Sequence, residues 1–266
     1  MTLYSDIVNN SLSIGIGYVS VKIIDKINIR QATLLSMKKA IADLTLKPDM
    51  VLVDGTDKLN ISMPCKNIVK GDTKIDCIMA ASIVAKVTRD NIMKNYSIIF
   101  PEYDFEKNNG YGTKSHMESL KINMATPIHR KSFNPVSSYL PSFRWLKMKN
   151  KMKWMGVKLS CLYLTDKDYK IEAIEICYKN KFTIDIIAHY NDVTVFLFIN
   201  LLGDSEKEKN INPIIKNNIK IKQLLSNFIE NSNLSINSKW RVDILNVDMY
   251  NKKSQFEHLE GMINSK

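Results

Sequence analysis

The sequence predicts an α/β protein, on three observations. Two short apolar runs, residues 50–53 and 67–69, have the length of buried parallel strands, and each leads into a carboxylate, Asp54 and Asp72. Helical periodicity precedes the first run and follows the second. The second half then carries three strand-length segments in succession. Carboxylates at strand ends stand where α/β folds usually present their sites.

The chain has 266 residues and 45% hydrophobic content, enough for one large domain or two ordinary ones with a packed core. Lys and Arg exceed Asp and Glu by 38 − 27 = 11. That excess fits a phosphate-bearing partner, and it fits equally a composition generally rich in Lys, Ile and Asn. Cys65, Cys77, Cys161 and Cys177 are scattered without a close pair or a His at zinc-ligand spacing. They read as reduced thiols of a cytoplasmic protein. The N-terminus lacks the pattern of a signal peptide, and no apolar run reaches the roughly 20 residues of a membrane span.

Residues 13–21, with β-branched and aromatic residues and two glycines, read as a strand. From Asp25 the apolar spacing becomes helical, through Ile29, Ala32, Leu35 and Ile41 to Leu46, and Pro48 stops it. The strand run 50–53 then ends on Asp54-Gly55, and the run 67–69 on Lys70-Gly71-Asp72. Asp72-Thr73 occupies a helix N-cap position ahead of Ile75, Ile78, Val84 and Val87. Asp72 alone is open to a plain capping role, and Asp54 before Gly55 to a turn role. Their pairing within eighteen positions favours a site.

Downstream, Glu106 to His116 places Gly110 and Gly112 around Tyr111, with Lys107 and Lys114 beside them. Glycines let the backbone approach a ligand closely, and lysines suit a sugar-phosphate chain. Pro127 to Phe133 adds a second basic, aromatic turn with His129, Arg130 and Lys131. Either stretch read singly is also compatible with a solvated loop.

Taken together, Asn28-Ile-Arg-Gln-Ala-Thr-Leu-Leu35, Leu52-Val-Asp-Gly55, Ile68-Val-Lys-Gly-Asp72, Ala80 to Asp90, Gly110-Tyr-Gly-Thr-Lys114 and His129-Arg-Lys-Ser-Phe133 resemble successive signatures of the ribonuclease HII family over about the first 136 residues. The resemblance implies a ribonuclease H-like α/β domain that cuts the RNA strand of an RNA/DNA hybrid, or 5′ of a lone ribonucleotide in duplex DNA. It implies four carboxylates holding two Mg²⁺ or Mn²⁺ ions, with Asp54 and Asp72 as the third and fourth. Tyr111 is then expected on the deoxyribose beside the ribonucleotide, and Lys70, Lys114 and Arg130 on phosphates.

The family also opens with a strand bearing an adjacent Asp-Glu pair and a Gly-Arg-Gly loop that reads the 2′-hydroxyl. No Asp-Glu dipeptide occurs in this sequence, where Asp6 is followed by Ile7. The ribonuclease H-like domain is therefore expected to be incomplete, a truncated product or one part of a split gene, with impaired catalysis.

A basic, aromatic junction, Arg144 to Trp154, marks a boundary near residue 145, as a solvated linker or a nucleic-acid patch. A helix over 154–164, strands over 169–178, 182–189 and 193–202 as a meander, a charged loop over 203–212, a helix over 213–230 and a last strand over 240–247 follow. Tyr163-Leu164, Ile184-Asp-Ile-Ile-Ala188, Val195-Phe196, Arg241-Val-Asp-Ile244 and Glu257-His-Leu259 resemble the small YraN-like family, which implies a restriction-endonuclease-like fold. Asp185 matches that family's metal-binding Asp, whereas Phe198-Ile-Asn200 replaces its Glu-x-Lys, and Val157 and Thr183 replace glutamates. An inert domain is expected, with Asp185 equally readable as a strand-edge surface residue.

The sequence thus predicts a ribonuclease HII-like domain over 1–145 and a YraN-like domain over 146–266, in a cytoplasmic monomer without a membrane span. The rival readings are a non-catalytic basic nucleic-acid-binding protein and an inactive gene fragment.

Overall fold

The computed structural model describes residues 3–179, 182–202, 218–237, 239–250 and 254–265. The chain divides into two compact units, one made of Met1–Lys94 and Phe105–Leu140, the other of Asn95–Asp104 and Pro141–Lys266.

In the first unit, α1 (Leu3–Asn10) precedes α2 (Val21–Ala42), a helix broken at Asn28, whose φ of 65° and ψ of 168° are not helical. The Asn28 side chain accepts the Gln31 amide at 3.1 Å, so it caps the second helical segment from within. The helical stretch expected from residue 25 is therefore two segments, and it stops at Ala42 rather than just before Pro48. The strand expected over 13–21 does not form: residues 13–20 have no ladder partner among the described residues. They lie instead against α2, where the Ile16 amide donates to Asp43 Oδ2 at 2.9 Å and Lys39 Nζ to the Tyr18 carbonyl at 3.1 Å. A Cβ at Gly17 would fall 1.8 Å from the Ser36 carbonyl oxygen, and one at Gly15 2.0 Å from that of Ala40. The two glycines serve this close approach to helix backbone.

Strands β1 (Val51–Asp54) and β2 (Cys65–Ile68) pair in parallel with Asp54 opposite Ile68, so their carboxyl ends share one edge. Gly71–Thr73 forms a 3₁₀ turn before α3 (Asp76–Ile99). Asp72 is thus not the N-cap of α3, which starts four residues later; Asp76 stands in its first turn, where the helix dipole favours an acid. Short α4 (Phe105–Asn108) and α5 (Lys114–Asn123) follow, and Thr113 caps α5 by accepting the His116 amide.

In the second unit, α6 (Phe143–Met148) and α7 (Met152–Thr165) lead into β3 (Lys170–Tyr178), β4 (Phe182–Tyr190) and β5 (Val193–Leu201), an antiparallel meander. After α8 (Asn218–Asn231), β6 (Trp240–Asp248) pairs parallel with β5, and β7 (Gln255–Asn264) antiparallel with β6. The sheet order is β3-β4-β5-β6-β7, and Ile184, Phe196, Phe198, Leu225 and Val242 pack into its core. The strand expected last is therefore followed by another. Its alternation is masked by a register shift between Val242 and Ile244 and by Gly261 at φ 64°. The charged loop expected over 203–212, and the first residues of the helix expected over 213–230, lie outside the described residues.

All four cysteines are free thiols, and burial pushes the pKa of Cys161 up. No helix among the described residues is long and apolar enough to cross a membrane.

Candidate active site

Asp54 closes β1, exposed at the carboxyl edge of the parallel pair. Beyond β2 the chain passes Lys70 in the left-handed conformation, φ 56° and ψ 44°, which turns the Gly71 amide back toward β1. That amide donates to Asp54 Oδ1 at 2.8 Å. Gly71 also packs closely on α3: a Cβ there would sit 2.6 Å from Ile78 Cδ1, so that side-chain end would have to move. Asp72 comes next, half-buried, and its carboxylate accepts no hydrogen bond among the described residues. Local backbone chemistry therefore ties Asp54 to the turn that carries Asp72.

Among the described residues, no group of three or more His, Cys, Asp or Glu is arranged to hold a metal ion. Two carboxylates suit one hard divalent cation whose remaining positions are filled by water and a substrate phosphate. They do not suit a pair of ions.

Tyr111 belongs to a second cluster and has 65% of its surface accessible. Gly110, at φ 76°, sets up the turn, and the Tyr111 amide donates to the Asn108 carbonyl at 2.8 Å. Arg89 of α3 donates to the Asn109 carbonyl and stands 5.7 Å from the Tyr111 ring centroid. Arg130 packs its guanidinium 4.0 Å from the Phe133 ring centroid. Burial lowers its pKa and the nearby positive charge of Arg89 lowers it further, while Asp25 acts in the opposite sense. Asp25 also anchors this turn, accepting from the Lys131 and Ser132 amides at 3.1 and 3.0 Å and from Ser132 Oγ at 2.7 Å. Burial opposes ionisation of Asp25, but these bonds outweigh it and hold its pKa below the usual range.

Arg89 thus brings Tyr111 and Arg130 into one neighbourhood, and no role was expected for it or for Asp25. Lys70 and Lys114 are exposed at a turn and at the start of α5. Among the described residues, no hydrogen bond or ion pair joins Asp54, Asp72 or Lys70 to Tyr111, Lys114 or Arg130.

Beneath the Tyr111 loop lie two buried imidazoles, His116 and His129. Burial, with His116 and Arg130 nearby, pushes His129 down to about 4 from its ordinary 6.5. The folded value is the lower one, so the unfolded chain takes the proton first as pH falls. The stability held by neutral His129 is whole above about pH 6.5 and is lost on descent to about pH 4, by up to about 3 kcal/mol. Urea midpoints of the first unit, followed by amide exchange at pH 7 and pH 4.5, should show that loss, and His129→Gln should flatten it. A pH-independent midpoint in the native chain counts against it.

In the second unit, Asp185 is neither at the surface nor open to an ion: its side chain is 8% exposed. Asp185 Oδ2 accepts Lys153 Nζ at 2.7 Å and the Ile199 amide at 2.6 Å, and Lys153 Nζ also donates to the Ile199 carbonyl. An ammonium thus neutralises this carboxylate. The neighbouring Asn200 donates to Asn246 across the sheet.

Residues 4–136 match the sequence profile of a family described as Ribonuclease HII. The ribonuclease HII of Lactobacillus gasseri is 47% identical over 137 residues, 52% of this chain and 54% of that protein. Those of Leuconostoc mesenteroides subsp. mesenteroides and Lactobacillus delbrueckii subsp. bulgaricus are 45% identical over 138 residues and 44% over 137, covering 54% and 53% of their lengths and 52% of this chain. The chain spans about half the length of the curated relatives it matches.

Proposed function

This chain belongs to the ribonuclease HII family, matched over residues 4–136, and from that premise we propose that its first unit carries part of an endonuclease site. The substrate class is an RNA/DNA hybrid, or duplex DNA with an embedded ribonucleotide cut on its 5′ side. The observation that carries the reading is the 2.8 Å bond from the Gly71 amide to Asp54, which ties Asp54 to the turn that carries Asp72.

In this reading Asp54 and Asp72 hold one Mg²⁺ or Mn²⁺, and the Gly71 amide orients Asp54 before substrate arrives. When bound, such an ion polarises a phosphate and acidifies a water. The exposed Tyr111 ring packs on the sugar beside the ribonucleotide, and Lys70, Lys114 and Arg130 neutralise phosphates. The resemblance calls for four carboxylates, and the matched positions of this chain supply two, so we assign it impaired cleavage. We read residues 146–266 as an inert YraN-like, restriction-endonuclease-like domain, supported by the engagement of Asp185 with Lys153 and by Asn200 in the place of a lysine. Four free thiols support a reducing, cytoplasmic setting, in which we take the chain to act as a monomer.

The test is binding to a duplex with one ribonucleotide against the same duplex in DNA alone, with Ca²⁺ or Mn²⁺ present. A preference for the ribonucleotide that falls about tenfold in Tyr111→Ala is expected, taking roughly 1.4 kcal/mol for loss of the aromatic contact. Asp54→Ala should remove the part of binding that depends on the ion. Equal affinity for both duplexes, insensitive to Asp54→Ala and steeply weakened by salt, would leave the non-catalytic nucleic-acid-binding reading.

A further inference from the structure

His116 and His129 are 7% and 8% exposed, and their Nε2 atoms are 3.0 Å apart. Each end of this pair meets a backbone group with only one possible role. The Thr126 amide, which can only donate, lies 3.1 Å from His129 Nδ1, and Thr126 Oγ1 lies 2.7 Å from the same atom. His129 Nδ1 is therefore unprotonated, and the ring carries its proton on Nε2. That proton points at His116 Nε2, which must accept it. His116 then holds its own proton on Nδ1, 2.9 Å from the Tyr111 carbonyl oxygen, which can only accept. The hydrogen bonds run one way, from Thr126 through His129 and His116 to Tyr111, with both rings neutral. Phe105 meets His116 edge-on at 5.4 Å and tilts against His129 at 5.8 Å, confining both rings.

We propose that this two-histidine relay is the device that positions Tyr111 for its sugar contact, with His116 as the positioning residue; the inference rests on the reading of Tyr111 above. The Tyr111 ring is exposed, so its direction must be set from its backbone. The Tyr111 amide is held by Asn108, and its carbonyl receives both the Thr113 amide at 2.8 Å and His116 Nδ1. The relay extends that anchorage to Thr126, fifteen positions along the chain, which no local turn could do.

Two measurements on the full chain test it. Long-range ¹H–¹⁵N correlation on histidine-labelled protein at neutral pH should show His116 in the Nδ1–H form and His129 in the Nε2–H form. Either ring cationic, or His116 in the commoner Nε2–H form, overturns the relay. The second measurement compares His116→Leu, which has no donor, with His116→Asn, whose side-chain amide can donate from about the Nδ1 position. His116→Leu should lower the ribonucleotide preference about threefold to tenfold, the worth of one hydrogen bond, and add nothing on top of Tyr111→Ala. It should also lower the order parameter of the Tyr111 amide, and His116→Asn should restore most of both. If Tyr111→Ala loses the preference and His116→Leu keeps it, the relay is wrong and the reading of Tyr111 stands. If the unaltered chain shows no preference, that reading fails, and the tautomers and the Tyr111 order parameter decide the relay alone.

Discussion

The purified 266-residue chain is expected to cut a duplex carrying one ribonucleotide too slowly in Mg²⁺ or Mn²⁺ to be seen against a protein-free control, while still binding it. Two-ion hydrolysis stabilises the attacking and the leaving oxygen together, and each ion needs its own oxygen ligands. The edge described above offers Asp54, with Oδ1 already engaged by Gly71, and Asp72. If the donors not found here withdraw about 5–6 kcal/mol of transition-state stabilisation, the rate falls by about four orders of magnitude. A gel assay with an end-labelled strand reads this directly. Efficient cleavage that disappears in Asp54→Ala would falsify the prediction and show that two carboxylates are enough in this chain.

The largest stability effect is expected at Asp243, in the sheet of the second unit. Its side chain is fully buried, and its oxygens accept Arg241 Nε at 3.1 Å, His258 Nε2 at 2.9 Å and the Gly261 amide at 2.8 Å. Arg241 in turn reaches the Tyr169 hydroxyl at 2.7 Å and Glu260 at 2.9 Å. Burial, only partly countered by Arg241, pushes the Tyr169 hydroxyl up to about 12, which keeps it a neutral partner at ordinary pH. Asp243→Ala leaves Arg241 Nε, His258 Nε2 and the Gly261 amide without their acceptor in a site with little water. The expected loss is about 3–5 kcal/mol, the usual cost of breaking a buried charged network. Asp243→Asn keeps an acceptor and should lose less. Trp145, Trp154 and Trp240 all belong to the second unit, so tryptophan fluorescence during urea unfolding reports that unit alone. A shift in midpoint below 1 kcal/mol would mean that the cluster relaxes around the gap.

Asp54 and Asp72 were legible because each follows a short apolar run and local backbone does the rest. Their link needs only the residues between β2 and Gly71. The N-cap expectation for Asp72 fails because the chain first makes a 3₁₀ turn over Gly71–Thr73, with Lys70 at its N-cap, and only the path of the chain reveals that turn. Residues 13–21 were misread because strand propensity describes a backbone that fits a sheet without supplying the neighbour. Strand β7 was missed because a bulge breaks the alternation that marks a strand. Asp25 and Arg89 act on groups 106 and 20 positions away, and no periodicity carries that.

The family, the two strand-end carboxylates, the tyrosine between glycines and the basic residues around it can be read from the chain alone. These depend on residue type and short spacing, which are properties of the chain. That His116 and His129 face each other beneath Tyr111, that Asp185 is closed by Lys153 and that the sheet ends on β7 follow from packing. A hydrogen bond between residues far apart in sequence exists only once packing has brought its donor and acceptor within about 3 Å.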